Sequence, residues 1–275
     1  MKRVAVVSVL VLLACSDGAK QPVGPDAFGG NGQRQPQPWP PVTATAPLPP
    51  PSASAAPEPV AQTAEPTKPR PLARGDGSKQ DAALAEGDKL FLSGDFAGAE
   101  AAYKKASQQA PKDPAGVVGF VRARLAKEDI PTDFGGAPQS PTLKGMIQQL
   151  RSAVKLDDKY APAHLELGRA LLVLGKADDA HASLEKAVEL DATDAEGFSA
   201  LGVCQLAKGD KEGAVKSLTR AAELEPRSPP RHANLGTAQM LVGRVAEAIA
   251  SYKKALALAP NDPGTLNDLG SALLF

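Results

Sequence analysis

The chain has 275 residues, 43% of them hydrophobic and 23% charged, and its 31 basic side chains are matched by 31 acidic ones. That balance excludes a polybasic nucleic-acid or anionic-lipid binder, which needs a net positive field to displace counterions. Two distant cysteines, Cys15 and Cys204, exclude a disulfide framework and a multi-cysteine zinc site.

The chain opens with what reads as an export signal. Met1-Lys2-Arg3 is a positive n-region, and Val4 to Ala14 is an apolar run interrupted only by Ser8. Such a run falls short of the roughly 20 residues that cross a bilayer core, so it is a secretory h-region and not a membrane-spanning helix. It ends in Leu12-Leu13-Ala14-Cys15, which resembles the lipobox of bacterial lipoproteins. The resemblance implies a signal peptide of residues 1–14 and a mature chain that starts at a lipidated Cys15. Ser16 in place of Asp implies, by the same resemblance, onward transfer to the outer membrane. Three acyl chains would hold it firmly, where one chain is marginal. An ordinary cleaved signal with a chance cysteine is the alternative.

Residues 15–79 follow as a spacer. Between Ser16 and Lys79 there are 15 prolines, in runs such as Pro36-Gln37-Pro38-Trp39-Pro40-Pro41 and Pro47-Leu48-Pro49-Pro50-Pro51, among Ala, Ser, Thr and Gly. This composition buries too little apolar surface to offset its ordering entropy, and its prolines favour polyproline II. Lys68, Arg70, Arg74 and Lys79 make its end mildly basic. The expectation is that they serve solubility alone.

From residue 80 the sequence repeats. Gly168, Gly202, Gly236 and Gly270 are each 34 residues apart, with Ala180, Ala214 and Ala248 as a second column and Ala187, Ala221 and Ala255 as a third. Leu235-Gly236, Gly243, Ala248, Tyr252, Ala255 and Pro260 occupy positions seven, eight, fifteen, twenty, twenty-four, twenty-seven and thirty-two of one unit. Gly87, Gly94, Ala99, Tyr103, Ala106 and Pro111 repeat the pattern upstream. These residues resemble the tetratricopeptide repeat family, whose unit is two antiparallel helices. The resemblance implies an all-α, right-handed α-solenoid over residues 80–275, behind a disordered Pro-rich tether. Gly at eight and Ala at twenty are expected to let the paired helices approach. Gly at fifteen suits the left-handed end of the first helix, and Pro at thirty-two stops the second.

The repeats then run 80–113, 114–160, 161–194, 195–228 and 229–262, with a final helix over 263–275. The second is too long by thirteen residues, which places an inserted loop at 130–142 with Phe134 at its centre. A lone first hairpin ahead of a three-repeat array is the alternative reading. The apolar end Ser271-Ala272-Leu273-Leu274-Phe275 is no polar cap. It reads as covered by something else or as continuing into a longer chain.

Chemistry-bearing constellations are few. His164 and His232 stand two repeats apart, Cys204 takes a small-residue position, and no phosphate loop or nucleophile elbow occurs. No enzyme activity, cofactor, metal or small-molecule substrate is expected.

The family resemblance implies a groove lined by the first helix of each unit. Carried onto this chain it comprises Leu84, Asp88, Phe91 and Leu92, then Val118 and Arg122, then Leu165, Arg169, Leu172 and Val173. Val203 and Leu206 continue it, followed by Thr237, Met240 and Leu241. Arg122 and Arg169 share position nine of consecutive units, so an apolar groove with adjacent guanidiniums is expected to suit a partner bearing an acidic group. The competing reading is that the aliphatics pack within the fold and each arginine pairs with a nearby acid such as Glu128 or Glu166. The function expected is a periplasmic, outer-membrane-anchored scaffold binding proteins or peptides of the cell envelope, by analogy of layout with pilotin-type lipoproteins. An adaptor for peptidoglycan enzymes and a fragment of a larger regulatory protein are the alternatives.

Overall fold

The computed structural model describes residues 69–128 and 140–275, all of which belong to one compact unit. The expected signal peptide, Cys15 and the expected spacer up to residue 68 lie outside the described residues, as does Phe134 with 129–139 of the expected inserted loop.

Eleven α-helices and no strand make up the described residues. They are α1 (Lys79–Leu92), α2 (Phe96–Gln109), α3 (Ala115–Lys127), α4 (Pro141–Leu156), α5 (Ala161–Val173) and α6 (Ala177–Leu190). After these come α7 (Ala195–Ala207), α8 (Lys211–Leu224), α9 (Pro229–Leu241), α10 (Val245–Leu258) and α11 (Pro263–Ala272). Each helix packs on its neighbours in sequence, and successive odd helices also touch one another, as α1 does α3 and α5 does α7. The result is an all-α tetratricopeptide-type solenoid with the odd helices forming one layer. The inserted loop, drawn from the sequence as 130–142, overruns α4: Ser140 caps that helix by accepting from the Leu143 N–H, and Pro141 and Thr142 are its first turn.

Local chemistry explains the turns. Gly94, Gly175, Gly209 and Gly243 follow α1, α5, α7 and α9 with φ between 77° and 83°, a region that only glycine enters without strain. Asp95 and Asp210 then cap α2 and α8 by accepting from Gly98 and Gly213 amides. His164 and His232 each donate from Nε2 to a main-chain carbonyl six residues upstream, Asp158 and Pro226, at 2.9 and 2.8 Å. They brace the turn into their own repeat.

The glycine column at position eight lies against the expected alanine, with the Ala180 and Ala214 carbonyls 3.2 and 3.3 Å from a Cβ on Gly168 and Gly202, and still closer to a second partner. A Cβ on Gly87 would fall 2.5 Å from the Tyr103 ring, on Gly168 2.5 Å from Leu184, on Gly202 2.6 Å from Leu218 and on Gly236 2.7 Å from Tyr252. These glycines therefore make room for the large residue at position twenty-four. Tyr103 is wedged hardest, because Gly119 of α3 meets the same ring, where a Cβ would fall closer still. The ring is fully buried and locks α1, α2 and α3 together.

A matched pair of substitutions tests the wedge. Gly87→Ala gains about 1 kcal/mol of helix propensity, but the pinned ring cannot yield, and overpacking of about 1–3 kcal/mol outweighs it. Gly145→Ala in α4 meets nothing within 4 Å and should stabilise by about 0.5–1 kcal/mol. Urea unfolding should give opposite signs for the two; stabilisation by both would show that the Tyr103 wedge is loose.

Candidate functional site

The face built by α1, α3 and α5 already carries a segment of its own chain. Residues 69–78 belong to neither helix nor strand, yet Leu72 is only 2% exposed and joins the apolar cluster that holds Leu84, Val118 and Leu165. Burying a leucine side chain contributes about 2 kcal/mol. The expectation of a solvated spacer up to residue 79 is therefore corrected from residue 69 onward.

Four consecutive main-chain amides of this strap end on two carboxylates. Leu72 N–H and Ala73 N–H donate to Asp88 Oδ2 at 2.8 and 2.9 Å, and Arg74 N–H and Gly75 N–H donate to Asp81 Oδ1 at 2.5 and 3.1 Å. Asp81 and Asp88 are seven residues apart on α1, two turns along one helix face. The other oxygen of Asp88 accepts from Tyr103 Oη at 2.8 Å. Burial first, and then the Asp88 charge, push the Tyr103 hydroxyl well above its ordinary pKa. Gly75 and Gly77, both at φ +74°, turn the strap into the Ser78 cap of α1.

The strap's ends are fixed by its arginines. Arg70 pairs with Asp191 and donates to Thr193 Oγ1 at 2.6 Å, while its carbonyl accepts from Arg122 Nη1 at 3.0 Å. Arg74 makes a two-toothed pair with Asp113 at 2.7 and 3.1 Å and lies 5.5 Å from the centre of the Tyr160 ring. Burial pushes the Tyr160 hydroxyl up to about 12. These two arginines, expected to serve solubility alone, anchor the strap.

From the strap, where Arg122 meets the Arg70 carbonyl, a ladder of alternating charge runs along the odd helices. Arg122 Nε donates to Glu166 Oε1 at 2.7 Å, with both side chains buried. Arg169 stands between Glu166 at 3.7 Å and Glu196 at 3.5 Å. Arg231 then joins Glu196 at 2.7 Å to Glu225 at 2.9 Å. Burial opposes the charge on Arg122, but Glu166 outweighs it and the guanidinium is held above its ordinary pKa. Burial likewise pushes Glu196 up, but Arg169 and Arg231 pull it below its usual range.

At Arg122 the ladder corrects the expectation of an open guanidinium awaiting an acidic ligand and agrees with the competing reading of an arginine paired with Glu166. Arg122 is 6% exposed and donates to Glu166 and to the Arg70 carbonyl, whereas Arg169 stands 3.5–3.7 Å from its two glutamates with its side chain 40% exposed. Side chains facing the strap are predominantly acidic: Asp81, Asp88, Asp113 and Asp191 against Arg122. The geometry suits a basic segment.

The remaining groove positions divide by burial. Leu84, Val118, Leu165 and Leu172 are core residues, and Asp88 holds the strap. Phe91 is half-buried with its ring 5.2 Å from that of Phe96, Val173 is half-buried and Leu92 is 52% exposed. Farther along, Val203, Leu206, Thr237 and Met240 are half-buried and Leu241 is exposed. Thr237 accepts from Tyr252 Oη at 3.3 Å. The sequence expectations did not include Asp81, Glu196, Arg231 or the strap, and offered Glu166 only as an alternative partner of the arginines. The visible signal was Glu166, a lone charge within the apolar stretch Leu165–Leu167.

Glu166→Ala leaves Arg122 buried without its carboxylate and should lower unfolding free energy by about 3–5 kcal/mol. The double change Arg122→Met with Glu166→Leu should restore most of it. Urea midpoints check both; a loss below about 1 kcal/mol for Glu166→Ala would show that the pair is solvated.

Comparison with known proteins agrees with this architecture. Residues 165–229 and 229–262 each match a family model described as tetratricopeptide repeat. No curated protein gives a significant match. Among solved structures, a thermophilic tetratricopeptide repeat protein of Thermus thermophilus superposes with a TM-score of 0.56 at 23% identity, covering 71% of this chain and all of that one. PilW, a widely conserved type IV pilus biogenesis factor, gives 0.56 at 18% identity over 70% of this chain and 86% of its own. Both likenesses concern the fold. With the 34-residue glycine column, the stacked helix pairs and the two family matches in agreement, the chain is a tetratricopeptide repeat protein.

Proposed function

We propose that this protein is a non-enzymatic scaffold that binds proteins or peptides, anchored through Cys15 to the outer membrane and facing the periplasm, where it assists assembly of an envelope complex. The observation that carries the binding part is the strap itself: the odd-helix face seats a non-helical peptide segment through side-chain bonds to its main chain. Recognition of that kind gives affinity from the backbone and specificity from flanking side chains. The envelope part rests on the Leu12-Leu13-Ala14-Cys15 motif. The same fold in a pilus biogenesis factor is compatible with an assembly role.

The strap contacts Asp191 and Thr193 at its outer end. Beyond them α7 and α9 present half-buried Val203, Leu206 and Met240 and exposed Leu241, which suit an apolar peptide face. Val203→Glu with Met240→Glu should keep the helical circular dichroism while cutting recovery of a co-purifying envelope protein at least tenfold, about 1.4 kcal/mol. In the same preparation Cys15→Ala should abolish palmitate labelling and outer-membrane fractionation. Undiminished recovery by the groove variant, or unchanged labelling of the cysteine variant, would refute the corresponding half of the reading.

A further inference from the structure

We propose that the face of the first three repeats is a recognition site for an Arg-x-Leu-x-Arg segment of another protein, held in cis by residues 70–74, so that the partner gains the site by displacing the strap. The inference rests on the reading of the protein as a binding scaffold and names the chemistry of one of its ligands.

The strap fills the site as a ligand would. Its interactions fall into a main-chain set and a side-chain set. The main-chain set is the four amides of residues 72–75 on Asp88 and Asp81, with the Arg70 carbonyl on Arg122. These bonds demand consecutive N–H groups and exclude proline there, but they do not depend on sequence otherwise. The side-chain set is the buried Leu72 flanked by Arg70 and Arg74, each two residues away and each on its own carboxylate. That spacing of cation, leucine and cation is the sequence-specific part.

The strap is also built to leave. Its two guanidiniums are 47% and 45% exposed, so their ion pairs are screened and weak one by one. Only one large apolar side chain, Leu72, is buried from the segment. Pro69 and Pro71 restrict its backbone beforehand, which lowers the entropy lost on docking. Since Gly75 to Ser78 connect the strap directly to α1, the cis segment competes at a high effective concentration, in the millimolar range for short flexible linkers. An outside segment of the same chemistry is therefore excluded until that competition is weakened.

The test uses the purified full chain and a fluorescent, end-blocked peptide of residues 68–77. Wild type should take up the peptide weakly, and Arg70→Ala with Arg74→Ala, which changes only the exposed anchors, should bind it at least about tenfold more tightly. A peptide carrying Leu72→Asp should not bind either chain. Leu72→Asp in the protein, which releases the strap more completely, should bind the native peptide at least as well as the anchor variant and retain cooperative unfolding. The proposal is overturned if neither released chain takes up the peptide, or if the Leu72→Asp peptide binds equally. It is also overturned if Leu72→Asp in the protein abolishes cooperative unfolding, which would make the strap a fixed part of the core. Dimerisation of wild type at the affinity measured for the peptide would assign the site to a second copy instead. The binding-scaffold reading is tested separately on α7 and α9, so failure here leaves that result standing.

Discussion

The carboxylate of Asp88 accepts three hydrogen bonds inside the array, from the amides of Leu72 and Ala73 and from the hydroxyl of Tyr103. A buried carboxylate is tolerated only when donors replace its water, and hydrogen bonds to a charged acceptor contribute about 1.5–3 kcal/mol each. Because the Tyr103 ring fills the space left by Gly87 and Gly119, this single group orients the side chain that holds the first three helices together. Through its second oxygen it determines where the chain preceding α1 lies. Packing of the first repeat and occupation of its outward face are thus coupled through one side chain.

The charged groups form two sets, one holding the repeats together and one holding the strap. The ladder from Arg122 through Glu166, Arg169, Glu196 and Arg231 to Glu225 neutralises itself and links α3, α5, α7 and α9 with the end of α8. Replacing such pairs by apolar side chains often costs little, so the ladder is better understood as setting how neighbouring repeats align than as a reserve of stability. The aspartates that hold the strap, Asp81, Asp88, Asp113 and Asp191, are a separate set. With the ladder neutralising itself, the aspartates leave this face suited to a basic segment and not to an acidic one.

Much of the fold was legible because the repeat writes the same constraint several times. Gly94, Gly175, Gly209 and Gly243 recur every 34 residues or at a multiple displaced by the insertion, and each takes the positive φ that a helix end requires. The end of the insertion was not legible in the same way. Ser140 as a helix cap and Pro141 at a first helical position are local signals that a composition-based reading of Gly, Pro and Ser absorbed into the loop. The site was less legible, for a different reason. Periodicity shows which residues share a helix face, but not what covers that face. Arg122 was assigned to the correct face, yet its buried pairing with Glu166 depends on the packing of α3 against α5, 44 positions apart in sequence. The strap was hidden by its prolines: Pro69 and Pro71 suit a solvated spacer and equally suit a pre-set peptide, and only the carboxylates on α1 decide between them.

Asp88 holds the amides of Leu72 and Ala73 in the native protein. Native-state hydrogen exchange at those two amides tests it most directly. Both should exchange more slowly than an unstructured peptide by on the order of 100-fold, and faster than the Val121 amide in the middle of α3, as expected of a unit that opens below the global unfolding energy. Exchange of Leu72 and Ala73 at the unstructured rate, with α1 still protected, would show that Asp88 does not hold the strap.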